Sequence, residues 1–213
     1  MLLLAMTAGG LTSACRAPQE IDATPSTPTI PAPSAPPERY TGLKSTCPIL
    51  TSDAAKKFGA SGEGRLSDIP TPSDPSVTSI SCSWGHPKHP SVSTIIQIFR
   101  NGFPPRRTAQ GNAQASFDDA QHGKLNDRKK NKLKRTYEAI LDLETEWDAA
   151  YLFVSAERYR TEQVTLIDNV MISVTIFVEE RYTEHPAFVL KDFLREHPDP
   201  LRIITSEIID NLR

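Results

Sequence analysis

Two histidines, His86 and His89, have the residue type and spacing that could hold a metal ion. They lie on either side of Pro87, and a neutral imidazole is the commonest metal ligand in proteins. However, no carboxylate or cysteine stands beside them in this stretch. Zinc sites usually need three or four protein ligands. We therefore predict no metal site and no cofactor for this chain.

Serines and carboxylates in the chain lack the partners that catalysis needs. Three serines stand in or near the same stretch: Ser81, Ser83 and Ser91. None of them has the strand, sharp turn and helix context that exposes a nucleophilic serine. Glu144, Glu146 and Asp148 alternate along the chain, so two carboxylates could share a strand face as in a sugar-cleaving pair. Without a recognisable partner cleft, we predict a solvated edge and no catalytic residue.

Cys15 has the setting of a cysteine that is modified with lipid. It follows Leu11-Thr12-Ser13-Ala14, at the end of an apolar run that carries no charge, which is typical of a lipoprotein signal peptide. A membrane span would need roughly 20 apolar residues, and this run already breaks at Arg16. We predict that residues 1–14 are cleaved and that Cys15 is acylated. A cleaved, secreted chain and an uncleaved anchor are the alternatives.

The stretch from Lys124 to Arg135 is the one local concentration of charge in a chain whose formal net charge is −2. This stretch contains one acidic residue, Asp127. Its basic residues include Lys129, Lys130, Lys132 and Lys134. Outside the cell such a cluster would attract anionic lipids or wall polymers. We predict that these four lysines bind an anionic envelope component, and a solvated helix face is the alternative.

Cys47 and Cys82 remain as a pair once Cys15 is assigned to lipid. An oxidising compartment favours a disulfide between them. Ile80, Cys82 and Trp84 alternate with serines, which predicts a strand whose cysteine points inward. A metal site of two cysteines and a histidine is the alternative, although it lacks the close cysteine pairing of most zinc sites.

Composition divides the chain into three parts. Residues 1–14 form the predicted signal peptide, and residues 15–40 contain the anchor cysteine and a segment rich in Pro, Thr and Ser. Such a segment cannot bury a core, and at about 3 Å per residue it could hold a domain roughly 75 Å from the membrane. Residues 41–213 have the length of one folded domain.

Hydrophobic periodicity predicts an α+β fold, with an antiparallel sheet of about five strands packed with helices and one disulfide. Five segments have the pattern of strands: residues 78–84, 92–99, 151–156, 163–167 and 170–178. The last two are joined by Asp168-Asn169, which suits a tight hairpin turn.

Three helical regions are predicted around these strands. A short helix begins near Thr51 or Ser52, and a longer region covers residues 108–140 with an interruption near Gly123. The C-terminal region is helical and broken at residues 198–200. Its core-facing stripe is Leu201, Ile204, Ile208 and Leu212.

The order of these features resembles a known group of proteins. Cys47-Pro48-Ile49-Leu50-Thr51, followed by Cys82-Ser83-Trp84 at the start of a hairpin and by a closing helix, resembles actinobacterial lipoproteins that are grouped as a domain of unknown function. The layout is also similar to the two-cysteine extracellular sensor domains of actinobacterial receptor kinases. The resemblance implies an antiparallel sheet packed with helices, and no established activity.

We therefore expect a membrane-anchored extracytoplasmic lipoprotein whose folded domain is a non-catalytic binding or accessory module of the cell envelope. Its expected partners are the membrane, through Cys15, and an anionic envelope polymer, a lipid or another envelope protein. Nucleic acid is not expected. The alternative is an envelope enzyme whose site is assembled from scattered residues. A deep pocket with converging polar groups would favour the enzyme, and a flat or basic groove would favour binding.

Overall fold

The computed structural model describes seven stretches of the chain, and Ala35–Arg213 form one compact unit. The described residues are 37–67, 75–86, 90–101, 108–131, 138–156, 159–178 and 192–212. The predicted signal peptide, Cys15 and the predicted tether up to residue 36 lie outside them. His89, Lys132 and Lys134 also lie outside them.

The described residues form nine strands, and seven of these pair in one antiparallel sheet, called the large sheet below. In chain order the strands are β1 (Ile49–Leu50), β2 (Gly62–Glu63), β3 (Arg65–Ser67), β4 (Val77–Gly85), β5 (Pro90–Phe99), β6 (Glu138–Asp142), β7 (Ala149–Ser155), β8 (Arg160–Ile167) and β9 (Val170–Phe177). The spatial order of the large sheet is β3-β4-β5-β9-β8-β7-β6, while β1 pairs with β2 alone. Two meanders therefore meet in the middle, where β5 pairs with β9.

The predicted α+β class with one disulfide is confirmed, but the expected number of about five strands is wrong. Four strands lie outside the five predicted segments: β1 and β2, which pair with each other, and β3 and β6, which are the edges of the large sheet. β3 has only three residues, too few to show an alternating pattern. β6 is apolar at its centre, and a short apolar run does not distinguish a strand from a helix.

Both predicted hairpins are present. β4 pairs with β5 along its whole length, and β8 pairs with β9 through the two-residue turn at Asp168-Asn169. Asp168 has a φ of 53°, the left-handed conformation that Asp tolerates in turns. The buried Asn169 side chain donates to the carbonyls of Phe99 and Tyr40, both at 2.8 Å. Tyr40, the last residue of the predicted tether, is itself buried.

Helix α2 (Ala109–Lys130) packs on one face of the large sheet, called the α2 face. Thr108 caps its N-terminus, and Ala113 and Phe117 face the sheet. Two predictions about this region are wrong. The helix is not interrupted near Gly123, and it does not extend to residue 140, because residues 138–142 form a strand. A glycine costs a helix only about 1 kcal/mol relative to alanine, so packing elsewhere along the helix outweighs it.

Helix α3 (Pro198–Leu212) packs on the opposite face, called the α3 face. Leu201, Ile204 and Ile208 are fully buried there, and Leu212 packs against the same core, as predicted. Residues 192–196 are also helical, and the break falls at His197. The predicted break at residues 198–200 is therefore displaced, because proline at the first helical position lacks an N–H that would be unpaired anyway.

The predicted disulfide between Cys47 and Cys82 joins the segment before helix α1 (Asp53–Lys57) to β4. Both cysteines are buried in the core of the α3 face. The bond closes a loop with a sequence separation of 35, for which chain entropy gives about 4 kcal/mol of stabilisation.

Candidate functional site: a cavity beside the disulfide

A cavity of about 350 Å³ lies on the α3 face, next to the disulfide. It opens between residues 43–49, the C-terminal end of α3 and the strands β4 and β5. Apolar side chains make most of its lining, and they include Leu43, Ile49, Ile80, Ile96 and Leu212. Small-molecule pockets range from about 300 to 1,000 Å³ and are mainly apolar, so the cavity has the size and lining of a site for a small ligand.

The wall on the β4 side is held by the disulfide and by a buried tryptophan. Cys47 lines the cavity and is bonded to Cys82. The Trp84 indole nitrogen donates to the Gly62 carbonyl at 3.1 Å. Gly64 lies so close to Trp84 that a Cβ there would be 2.7 Å from two indole carbons. A side chain at position 64 would therefore displace the indole, which is hydrogen-bonded to Gly62 next to the cavity-lining Glu63.

The wall on the α3 side is held by two polar side chains. The Lys44 ammonium donates to the Asn211 carbonyl at 2.7 Å. The Asn211 amide donates to the Glu207 carbonyl at 2.8 Å and to the Ile49 carbonyl at 3.4 Å. A positive charge at a helix C-terminus is favourable because the last carbonyls carry a partial negative charge. These contacts tie residues 44–49 to the end of α3.

Glu207 joins α3 to the start of α1. Its carboxylate accepts hydrogen bonds from the Thr51 hydroxyl at 2.7 Å and the Ser52 N–H at 3.2 Å, and also from the Thr51 N–H. Burial raises the pKa of Glu207, but these hydrogen bonds outweigh burial and hold the pKa below its usual value. The segment that carries Cys47 is thus fixed to α3 at both of its ends.

Two charged side chains from the described part of the chain, Lys44 and Glu63, line the cavity, and both are exposed. Glu63 lies on β2 directly opposite Ile49 of β1. Since the charges lie on exposed residues while Ile96 is buried, the site has an apolar interior and a polar rim. Such an arrangement can bury apolar surface of a ligand and orient one polar group.

Among the described residues considered for catalysis or metal binding, Cys47 lines this cavity, but its sulfur is bonded to Cys82, and His86, Ser81, Ser83, Ser91, Glu144, Glu146 and Asp148 do not line it. His86 is exposed, and His89 lies outside the described residues. Glu144, Glu146 and Asp148 are exposed in the connection between β6 and β7. Among the described residues, no group of three or more His, Cys, Asp or Glu side chains could hold a metal ion.

The three serines lie apart from the cavity. Ser81 and Ser83 are half-buried on β4, where they alternate with the inward-facing Cys82. Ser91 packs beside Gly85, and its buried hydroxyl has no hydrogen-bond partner within the described stretches. No described His or acid is within hydrogen-bond distance of this hydroxyl, so the arrangement offers Ser91 no general base.

The predicted basic cluster is divided by the fold. Lys124 is partly buried on the α2 face, where its ammonium lies 2.5 Å from the Glu162 carboxylate and 4.5 Å from the Phe153 ring centre. Ser173 also donates to Glu162, at 2.7 Å. Burial raises the pKa of Glu162, but the charge and hydrogen bond of Lys124, the Ser173 hydrogen bond and the charge of Arg160 together outweigh burial, so the net pKa is lowered. Lys124 therefore forms a structural ion pair with Glu162.

Lys129 and Lys130 are exposed in the last turn of α2, and Lys132 and Lys134 lie outside the described residues. The described part of the chain therefore places two of the four predicted lysines at one helix end. It leaves their binding to an anionic component as a prediction.

The sequence did not reveal the cavity. Ile80 was assigned to the inward face of its strand and Leu212 to the stripe of the last helix, but both also line the cavity. No sequence motif around Glu63 or Lys44 marks either residue as part of a site. A gap between elements depends on how their side chains fill space, which no periodicity reports.

Comparison with known protein families, curated proteins and solved structures finds no match for this chain. The resemblance to actinobacterial lipoproteins therefore stays a prediction from short motifs. Among the described residues, no helix has the length and hydropathy of a membrane span.

Proposed function

We propose that this chain is an extracytoplasmic lipoprotein, anchored to the outer face of the cell membrane through Cys15, and that its folded domain is a non-catalytic binding module of the envelope. The signal-like run before Cys15 and the proline-rich segment after it support the anchor. The Cys47–Cys82 disulfide supports an oxidising compartment, because reducing compartments keep such thiols free.

The cavity beside the disulfide is the observation that supports a binding function. Its lining is mainly apolar, and its charged groups belong to the exposed residues Lys44 and Glu63. A site of this kind gains free energy by burying apolar ligand surface, at about 25 cal/mol per Å². The alternative, an envelope enzyme, would need a nucleophile or a paired acid and base in this cavity. Glu63 is the only carboxylate among the described residues that line it.

Binding of an uncharged apolar dye, N-phenyl-1-naphthylamine, tests this assignment. We expect saturable fluorescence enhancement by the full chain carrying Cys15→Ala, a change that prevents attachment of acyl chains at this position. Leu43→Trp places a larger side chain in the cavity, because Leu43 is half-buried in its lining. This variant should weaken dye binding at least about tenfold, equivalent to about 1.4 kcal/mol.

A matched variant distinguishes cavity binding from general surface binding. Leu141→Trp introduces the same side chain on the edge strand β6, where Leu141 is 44% exposed and outside the cavity lining. It should bind the dye as the parent chain does. Equal dye binding by Leu43→Trp and Leu141→Trp would refute the cavity as the binding site.

A second surface is proposed for the envelope partner. The exposed Lys129 and Lys130 extend the basic end of α2 toward Lys132 and Lys134 in the sequence. We infer that this end contacts an anionic envelope polymer or lipid, as the charge pattern predicts. This contact is independent of the cavity, because the two sites lie on opposite faces of the large sheet.

A further inference from the structure

The charges at the rim of the cavity are not equivalent. Lys44 donates to the carbonyl of Asn211 in the last turn of α3. Helix C-termini carry a partial negative charge because their last four carbonyls lack intrahelical partners. Part of the positive charge of Lys44 is therefore offset by the helix end, and one of its donors is already occupied.

Glu63 has no such partner. No hydrogen bond or ion pair joins its carboxylate to any described residue, and its side chain is exposed next to the cavity. Directly across the β1-β2 pair lies Ile49, which is 52% exposed and also lines the cavity. A carboxylate with no partner among the described residues thus lies beside an apolar entrance.

Ile80 and Ile96 supply apolar surface further inside. They pair with each other across β4 and β5, and Ile96 is only 1% exposed. Leu212 at the end of α3 closes the cavity from the opposite side. A chain of methylene groups would find contacts on both sides here, whereas a bulky polar group would lose its water without gaining hydrogen bonds.

We propose that the cavity binds a small amphiphile with one apolar chain and an ammonium head, the chain between Ile80 and Leu212 and the head at the Glu63 carboxylate. This inference rests on the proposed function, in which the cavity is a binding site. An ammonium group satisfies Glu63, whereas an anionic head meets both Glu63 and the negative end of α3.

Three eight-carbon probes test the proposal: octylammonium, octanol and octanoate, titrated calorimetrically into the full chain carrying Cys15→Ala below their aggregation concentrations. We expect octylammonium to bind about 1.5- to fivefold more tightly than octanoate, the range that an exposed charge pair supports. Affinity should also rise about fourfold per added methylene in the alkylammonium series until the cavity is full.

Two Glu→Gln variants, one at the rim of the cavity and one away from it, test whether Glu63 causes this preference. Glu63→Gln removes the carboxylate without changing its size and should abolish the difference between octylammonium and octanoate. Glu146→Gln is the matched control, because this exposed carboxylate lies outside the cavity lining, and it should keep the preference for octylammonium. Both residues are exposed, so neither change disturbs the core.

The outcomes separate this inference from the function on which it rests. Tighter binding of octanoate, or a preference that survives Glu63→Gln, would overturn the ammonium head. Equal binding of all three probes that Leu43→Trp abolishes would also overturn it, and would leave the cavity as a binding site for apolar chains. Failure of all three probes to bind would overturn both proposals.

Discussion

At the scale of single residues, His197 makes the stability of this domain depend on pH. The imidazole is 5% exposed, lies 4.6 Å from the Phe193 ring and has its Nδ1 2.8 Å from the Thr161 hydroxyl. Burial lowers the pKa of His197 to about 4, Glu196 opposes this shift and Lys57 adds to it. The buried ring is therefore neutral near neutral pH, and protonation is penalised in the folded state.

This depressed pKa predicts a loss of stability in mild acid. Since the ordinary histidine pKa is 6.5, the unfolded chain binds more protons than the folded chain between pH 6.5 and about 4. The stabilisation is complete above this window and falls as the pH falls through it. We expect the free energy of unfolding to drop by about 2 kcal/mol from about pH 7.5 to about pH 5. Urea unfolding at a series of pH values measures this.

A substitution separates His197 from other titrating groups. His197→Gln keeps a hydrogen-bonding side chain beside Thr161. It should make the free energy of unfolding nearly independent of pH above about pH 5. The exposed His122→Gln should leave it unchanged. Carboxylates with a lowered pKa, such as Glu162, lose their contribution only below their usual value of 4.5. Parallel pH profiles for the parent chain and His197→Gln would contradict the assignment.

At the scale of elements, the basic end of α2 is predicted to bind anionic surfaces. Replacing Lys129, Lys130, Lys132 and Lys134 by Gln should weaken binding to anionic vesicles by about 1 kcal/mol per charge near the surface. Binding by the parent chain should also fall steeply with salt, because salt screens interactions between exposed charges. Co-sedimentation of the Cys15→Ala chain with anionic and neutral vesicles, at low and physiological salt, measures both effects.

A matched control keeps this result specific to α2. Lys56→Gln with Lys57→Gln removes two exposed charges from the end of α1. This pair should leave vesicle binding nearly unchanged. If the quadruple variant binds anionic vesicles as well as the parent does, the basic end of α2 is only a solvated helix end.

At the scale of the whole molecule, the anchor decides where the domain works. Cys15→Ala should release the protein from membranes or leave an unprocessed precursor, because Cys15 is the cysteine that follows the cleavage-like sequence. Each methylene of an acyl chain that enters the membrane adds about 0.8 kcal/mol of membrane affinity. Mature protein without acyl chains should therefore leave the membrane fraction. Metabolic labelling with a fatty-acid analogue measures the modification directly.

Cys47→Ala with Cys82→Ala serves as the control for this experiment. It removes the disulfide and should reduce stability, but it leaves Cys15 in place and should keep the label. Unchanged incorporation of the label in Cys15→Ala would refute the lipoprotein assignment and, with it, the proposed location.

Local patterns in the sequence were sufficient for much of this fold. Alternation around Cys82 and from residue 170 onward predicted central strands, and the cysteine count predicted the disulfide. These features are local because a side chain's direction in a strand repeats every two residues. The periodic apolar residues of α3 were readable for the same reason, with a period of 3.6 residues.

The tertiary structure alone decided the edge strands, the continuity of α2 and the cavity. β6 is a strand because β7 offers it a partner, and α2 passes Gly123 because Ala113 and Phe117 pack on the sheet. The cavity exists because the segment at Cys47, the end of α3 and two strands do not fill the space between them. Partners and unfilled space arise between segments distant in sequence, so no local pattern of residue types could report them.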